Sequence, residues 1–171
     1  VEFPTLAERD RMRREERKEE ERWRKEYAKK RKSAEPVFKA GNIPPFSRAL
    51  IAAFIPVHLP LFLLFDDATR ISIFHTFGFV PGMYTGAFDW HWGALISPLS
   101  HAIIHGGWMH LLFNTIMGLV LGMFFEKIYG ARTTALFFAA CTLAGAAIYF
   151  AFSPFSTVPV IGASGGISGL F

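Results

Sequence analysis

A serine among glycines is the best candidate nucleophile in this sequence. Ser164 lies in the string GASGG, residues 162–166, which follows a run of turn-forming residues and precedes an apolar segment. Small neighbours let a substrate come close, and free backbone N–H groups at a helix start can stabilise a developing oxyanion. The string also fits the G-x-S-x-G pattern of soluble hydrolases, but the alternating strands and helices of that fold are missing. We therefore predict a nucleophile at the start of a helix, outside the soluble hydrolase fold.

His110 and Asn114 form a second group of candidate functional residues. They lie four residues apart in the apolar run 108–125, so a helix projects both from one face. A polar side chain without a partner is costly in hydrocarbon, and polar groups in membrane helices therefore point toward partners or water. The pair predicts a functional site inside a membrane, near one end of a helix.

Small residues continue these two motifs at helical spacing. Gly118 and Gly122 follow Asn114 on the same face, and the segment after Ser164 offers two more glycines four residues apart, at 165 and 169. Such spacing lets membrane helices approach closely, and it is also the alternative explanation for the glycines around Ser164. We expect the helix of Asn114 and the helix of Ser164 to be closest neighbours.

The formal charges are concentrated at the N-terminus. Residues 1–36 carry 13 Lys or Arg and 10 Asp or Glu, the rest of the chain carries 5 and 4, and none follows Arg132. With 51% hydrophobic residues, such a sequence cannot build the surface of a single soluble domain. The alternation of acidic and basic residues argues against a nucleic-acid partner. One cysteine, Cys141, excludes a disulfide framework within the chain.

The charged stretch predicts a solvated helix over residues 6–32. Helix formers dominate it, and pairs such as Glu20 with Arg24 are oriented to attract each other. Its basic cluster, residues 29–32, could rest on anionic headgroups, and a charged tail without specific function is the alternative. The acidic residues argue against a signal or transit peptide.

Three apolar runs are long enough to cross a bilayer as helices, at residues 49–65, 108–125 and 133–152. A fourth begins near Ser164 and stops after eight residues. Residues 74–92, rich in aromatic residues and glycine, are expected to lie at the membrane interface. Basic residues before the first span and between the second and third assign those positions to the cytoplasmic side. His110 and Ser164 then lie near the outer ends of their helices.

Together these motifs resemble those of the rhomboid family of intramembrane serine proteases. The similar strings are HAIIHGGWMHLLFN at 101–114, EKIYG at 126–130 and GASG at 162–165, in the family's order, and the resemblance covers residues 51–171. It implies a bundle of six helices that cleaves transmembrane substrates with a Ser–His dyad. In this sequence it implies Ser164 as nucleophile, with His110, Asn114 and the Ser164 N–H as oxyanion donors.

The resemblance assigns further residues to the architecture of the domain. It implies that His105 organises the outer segment and that Glu126 and Gly130 have a structural role. The family's general base is a histidine on the sixth helix, whereas this sequence ends at Phe171, inside the fourth. We therefore expect a longer parent protein, of whose six helices about three and a half are present, and little activity of this chain alone. The family's usual aromatic residue four positions after the serine is Ser168 here.

The predicted fold class is an all-α polytopic membrane protein with a rhomboid-like helical bundle. We expect a charged cytoplasmic helix and linker at residues 1–46 and a partial membrane domain at 47–171. The predicted location is the cell (inner) membrane, with the N-terminus cytoplasmic. The predicted partners are transmembrane protein substrates and the lipid bilayer, without nucleic acid, and no metal or organic cofactor is required.

The implied function is an intramembrane serine endopeptidase that cuts transmembrane proteins near the outer interface. A rhomboid-like protein that binds transmembrane clients without cutting them is the main alternative. Another alternative takes His101, His105 and His110 as ligands of a metal or haem, although the H-E-x-x-H pattern of zinc proteases is missing. His58, His75 and His91 are expected to be loop or packing residues.

Overall fold

The computed structural model of the chain describes residues 6–33 and 43–171. They belong to two compact units, one before residue 43 and one from Ile43 to Phe171. The first contains α1 (Leu6–Ser33), in which Glu20 and Arg24 form the predicted ion pair at 2.8 Å. The predicted basic cluster and linker lie partly outside the described part of the chain, at the side chains of residues 30–32 and at residues 34–42.

The second unit consists of helices and their connections. In chain order these helices are α2 (Pro45–Leu63), α3 (Asp67–Phe77), α4 (Gly82–Thr85), α5 (Ser97–Ser100), α6 (Trp108–Tyr129), α7 (Ala131–Phe152) and α8 (Ser164–Ser168). Short 3-10 helices occupy Trp92–Leu95 and His101–Ile103. Among the described residues the only β structure is an isolated bridge between Phe79 and Val160. The predicted all-α class is confirmed.

Three helices, α2, α6 and α7, are long and apolar enough to cross a membrane, as predicted. At about 1.5 Å per residue they are about 28 to 33 Å long, which matches the hydrocarbon thickness. α2 begins four residues before the predicted start and runs through Pro56 and Pro60 without ending there. α6 begins at the predicted Trp108.

Each of the helices α6 and α7 buries one narrow stripe of side chains. On α6 the stripe runs through Asn114, Gly118, Gly122 and Glu126, and on α7 it runs through Thr134, Phe138, Thr142 and Ala146. The four-residue spacing places each set on one helix face. Apart from Met123, which is also buried, the other faces of both helices expose large apolar side chains, as expected for a protein surrounded by lipid.

The predicted pairing of the two glycine motifs is wrong, because α8 lies mainly against α7. A Cβ atom on Gly166 would collide with Phe138 and Thr142, and one on Gly169 would collide with Cys141. α8 therefore packs closely against α7. On α6, Gly118 does contact Ile167 of α8, but Gly122 makes room for Ser47 of α2.

The segment between α2 and α6 contains a helix that the sequence analysis missed. α3 begins after Asp66, whose carboxylate accepts a hydrogen bond of 2.8 Å from Thr69 N. Aspartate is among the preferred residues at this capping position. The sequence does not predict α3, because α3 lacks an apolar run as long as those of the membrane spans.

Candidate active site

Two connecting segments hold the chain that leads into Ser164. The segment before α6 and the segment after α7 are joined by two hydrogen bonds of 2.9 Å between Phe79 and Val160. Closer to the serine, Gly162 N donates to His101 O at 2.8 Å. Both segments therefore lie at the same end of the helices, as the predicted topology requires, and they fix the approach to α8.

Ser164 begins α8 and faces a small pocket. The pocket has a volume of about 170 Å³, and Asn114 of α6 also lines it. The other lining residues are Phe113, Met117, Leu121, Ile167 and Ser168. The structure thus brings Ser164 and Asn114, which come from separate sequence motifs, to one cavity.

His110 lies against the backbone just before Ser164. A Cβ atom on Gly162 would collide with Nε2 and Cε1 of the His110 ring. Gly162 also has φ of 109°, in the left-handed region that glycine adopts readily. This position therefore needs glycine for two reasons, its backbone conformation and the close approach of the ring.

A hydrogen bond sets the tautomer of His110. Gly106 N donates to Nδ1 of the ring at 3.3 Å. A backbone N–H can only donate, so Nδ1 is the acceptor and the neutral ring carries its proton on Nε2. Because Nε2 is the atom that lies against Gly162, a donor faces the segment that carries the serine.

Asn114 is held by its own helix. The residue is 5% exposed, and its Nδ2 donates to His110 O at 2.9 Å. An amide nitrogen carries two hydrogens, so one N–H remains for a ligand in the pocket shared with Ser164. Ser164 and Asn114 therefore line one pocket, and His110 packs against the backbone two residues before Ser164.

The comparisons with known proteins identify the family. The Rhomboid domain profile matches residues 89–171, which include all three candidate site residues. The chain is 30% identical to the rhomboid protease GluP of Bacillus subtilis (strain 168) over 142 residues, or 81% of this chain and 25% of that protein. The chain belongs to the rhomboid family. It spans about a quarter of the length of this rhomboid relative, and no solved structure gives a significant match.

In this rhomboid chain His105 is completely buried beside the candidate site. Its ring centroid lies 4.6 Å from that of Phe54 and 5.2 Å from that of His110. Burial, and then the proximity of His110 and His58, lowers the pKa of His105 to about 4. His105 is therefore neutral at physiological pH and packs edge-on against the ring of His110.

The histidines are not arranged as ligands of a metal. Nδ1 of His101 lies 2.9 Å from Ser97 O, and burial lowers the pKa of this side chain. Within residues 6–33 and 43–171, no three His, Cys, Asp or Glu side chains are grouped so that they could hold a metal ion. The metal alternative therefore has no support in the geometry of the described rhomboid domain.

Two neighbours of the site escaped the sequence analysis. Gly106 sets the tautomer of His110, but a backbone donor leaves no signal in the sequence. His58 of α2 lies within 6.4 Å of His105, measured between ring centroids. The sequence does single out His58, because it is the strongly polar residue of the apolar run 49–65. From the sequence we predict a loop or packing histidine at this position.

Proposed function

We propose that this rhomboid chain is part of an intramembrane serine endopeptidase with Ser164 as its nucleophile. The observation that carries the proposal is the shared pocket of Ser164 and Asn114, with His110 packed against the turn that leads into Ser164. A hydroxyl beside two hydrogen-bond donors is the arrangement that acyl transfer needs.

The donors would stabilise the anion that forms on the scissile carbonyl oxygen. The Nε2–H of His110, the second Nδ2–H of Asn114 and the backbone N–H of Ser164 are the proposed donors. Each donor of this kind contributes about 3 kcal/mol to transition-state stabilisation. Because hydrogen bonds to Gly106 and within α6 already orient the first two, little reorganisation is needed when the charge develops.

In the proposed reaction the Ser164 oxygen bonds to the carbonyl carbon, and the hydroxyl proton passes to a general base. The base then protonates the leaving amine as the carbon–nitrogen bond breaks, and water hydrolyses the acyl-enzyme. The rhomboid resemblance assigns the base to a histidine on a later helix, which would have to pack beside α8.

The proposed substrates are single transmembrane helices that are weakened by glycine or proline near their outer ends. A peptide bond in an intact helix is shielded by its hydrogen bonds, so the substrate must unwind locally to reach Ser164. The distribution of basic residues supports a cytoplasmic N-terminus in the cell membrane, with the site near the outer surface.

The test is cleavage of a model transmembrane substrate by the full-length protein in liposomes. Ser164→Ala should abolish turnover, whereas Ser168→Ala should retain it, because Ser168 lines the same pocket one helical turn away. A serine-reactive fluorophosphonate should label the wild-type protein and the Ser168→Ala variant alone. Equal turnover of the wild-type and Ser164→Ala proteins would remove Ser164 from the mechanism. A wild-type protein that binds the substrate without cutting it would favour the client-binding alternative.

A further inference from the structure

His58 is a buried histidine without a hydrogen-bonding partner. It is 0% exposed, and neither ring nitrogen has a partner among the described residues. His105 is also 0% exposed and makes no hydrogen bond of good geometry, although the backbone of Ile103 interacts with its ring. A buried imidazole in this state costs free energy that an apolar side chain of similar size would not. An ionisable residue kept in a membrane helix at such a cost is a functional candidate.

The ring of His58 belongs to a row of three imidazoles that ends at the candidate site. Its centroid lies 6.4 Å from that of His105, and His105 lies 5.2 Å from His110, with interplanar angles of 70° and 74°. Phe62 stacks on His58 at 4.4 Å and Trp108 meets it edge-on at 4.6 Å. Aromatic contacts therefore hold the His58 ring in place, while its nitrogens have no partner among the described residues.

The spacing of the first two rings suits a bridge by one water molecule. A neutral imidazole has one donor and one acceptor nitrogen. Two hydrogen bonds to one water join nitrogens that are about 5 to 6 Å apart. Ring nitrogens lie off the ring centroids, so the centroid separation of 6.4 Å between His58 and His105 allows nitrogens that face each other to lie within this reach. Buried waters commonly bind polar groups that lack protein partners.

We propose that His58 is a positioning residue for His110, acting through a water that it shares with His105. The inference rests on the proposed function, in which His110 is an oxyanion donor. His110 has a hydrogen bond from Gly106 on its Nδ1 side, and its ring is otherwise held by packing against Gly162 and His105. Fixing the ring of His105 therefore fixes the direction of the Nε2–H of His110.

Two variants of similar size separate positioning from packing. His58→Leu removes the polar atoms, and His58→Gln keeps a donor and an acceptor. In the full-length protein in liposomes, His58→Leu should lower kcat about tenfold with little change in KM, because only the transition state uses the donor. Its melting temperature should stay close to that of the wild type, because the leucine keeps the packing against Phe62 and Trp108 and no longer buries an imidazole that has no protein partner. His58→Gln should recover most of kcat.

A loss of activity without a loss of stability is the signature, since replacing a packing residue would lower both together. An unchanged kcat in His58→Leu would overturn the proposal. So would a parallel loss of kcat and melting temperature in both variants. Met83→Ala is the control, because Met83 is buried in a separate cluster with Val80 and Ala94. It should lower the melting temperature and leave kcat unchanged.

A double variant tests whether His58 acts through His110. If it does, His58→Leu should cause no further loss of kcat in a His110→Ala background, since the donor to be positioned is gone. A second tenfold loss in that background would show an independent effect and overturn the proposal.

A spectroscopic readout does not depend on turnover. In protein labelled with 15N-histidine, the ring resonances of His110, assigned with His110→Gln, should shift in His58→Leu and stay near the wild type in His58→Gln. Unchanged His110 resonances in His58→Leu would refute the positioning. If His58→Leu shifts the His110 resonances but the wild-type protein shows no proteolysis, the positioning role stands and the proposed function is refuted.

Discussion

The carboxylate of Glu126 accepts two hydrogen bonds from Ser47, one from its backbone N–H and one from its hydroxyl, each of 2.8 Å. A third comes from Phe46 N at 2.7 Å. The first N–H groups of a helix have no partner within it, and a negative charge there is favourable. Glu126 of α6 therefore caps α2, which gives a physical basis for the structural role implied by the resemblance.

Glu126→Gln should lower the free energy of unfolding by about 3 kcal/mol, since the amide keeps one acceptor oxygen and turns an N–H group toward backbone donors. Thermal unfolding in detergent micelles measures this loss. The control is Lys127→Gln, because Lys127 is the exposed neighbour of Glu126. Equal melting temperatures for the two variants would contradict the capping role.

Gly162→Ala should reduce kcat at least tenfold, because the new methyl group displaces the His110 ring and the backbone keeps its positive φ. Gly86→Ala is the matched control. Gly86 also has a positive φ, of 80°, but nothing lies within 4 Å of the position of a Cβ atom. It should cost about 1 kcal/mol of stability and leave turnover unchanged. Equal loss of turnover in both variants would argue against the contact with His110.

The membrane spans and the burial of Asn114 were predictable from the sequence, because their signals are local. An apolar run of fixed length predicts a span, and four-residue spacing predicts a shared face. Which helix packs against a given face depends on distant parts of the chain, so local spacing does not predict it. Gly122 could serve either α8 or α2, and the structure shows that it serves Ser47 of α2.

The sequence predicts the three candidate site residues, but it does not predict their surroundings. The tautomer of His110 depends on the backbone of Gly106, which any residue other than proline would supply. The contact between His58 and His105 joins α2 to a connecting segment 47 positions later in the chain. Such a contact depends on how the helices pack, which one sequence does not reveal.

Asn114→Ala should lower kcat about a hundred- to a thousand-fold, as the loss of one oxyanion donor does in serine proteases. His110→Ala should have an effect of the same size. Met117→Leu is the control, because Met117 lines the same pocket and offers no N–H group. Steady-state cleavage of the model substrate gives the values. Losses of only a few-fold in Asn114→Ala and His110→Ala would reduce both residues to a packing role.

Protonation of His105 should destabilise the fold in acid. Burial lowers its pKa from the ordinary 6.5 to about 4, so between these values the unfolded chain binds a proton that the folded protein does not. The contribution of His105 to the free energy of unfolding is then fully present above pH 6.5, and it decreases by about 3 kcal/mol as the pH falls to 4. Burial also lowers the pKa of His101, which acts in the same direction.

The melting temperature in detergent micelles between pH 7.5 and 4.5 checks this dependence. His105→Gln should flatten the decline, because the amide does not titrate, and the slope that remains belongs to His101 and the other titrating groups. The variant should also melt lower than the wild type at pH 7.5, because its side chain packs less well against Phe54. A decline of the same steepness in the variant would show that His105 keeps its ordinary pKa in the folded protein.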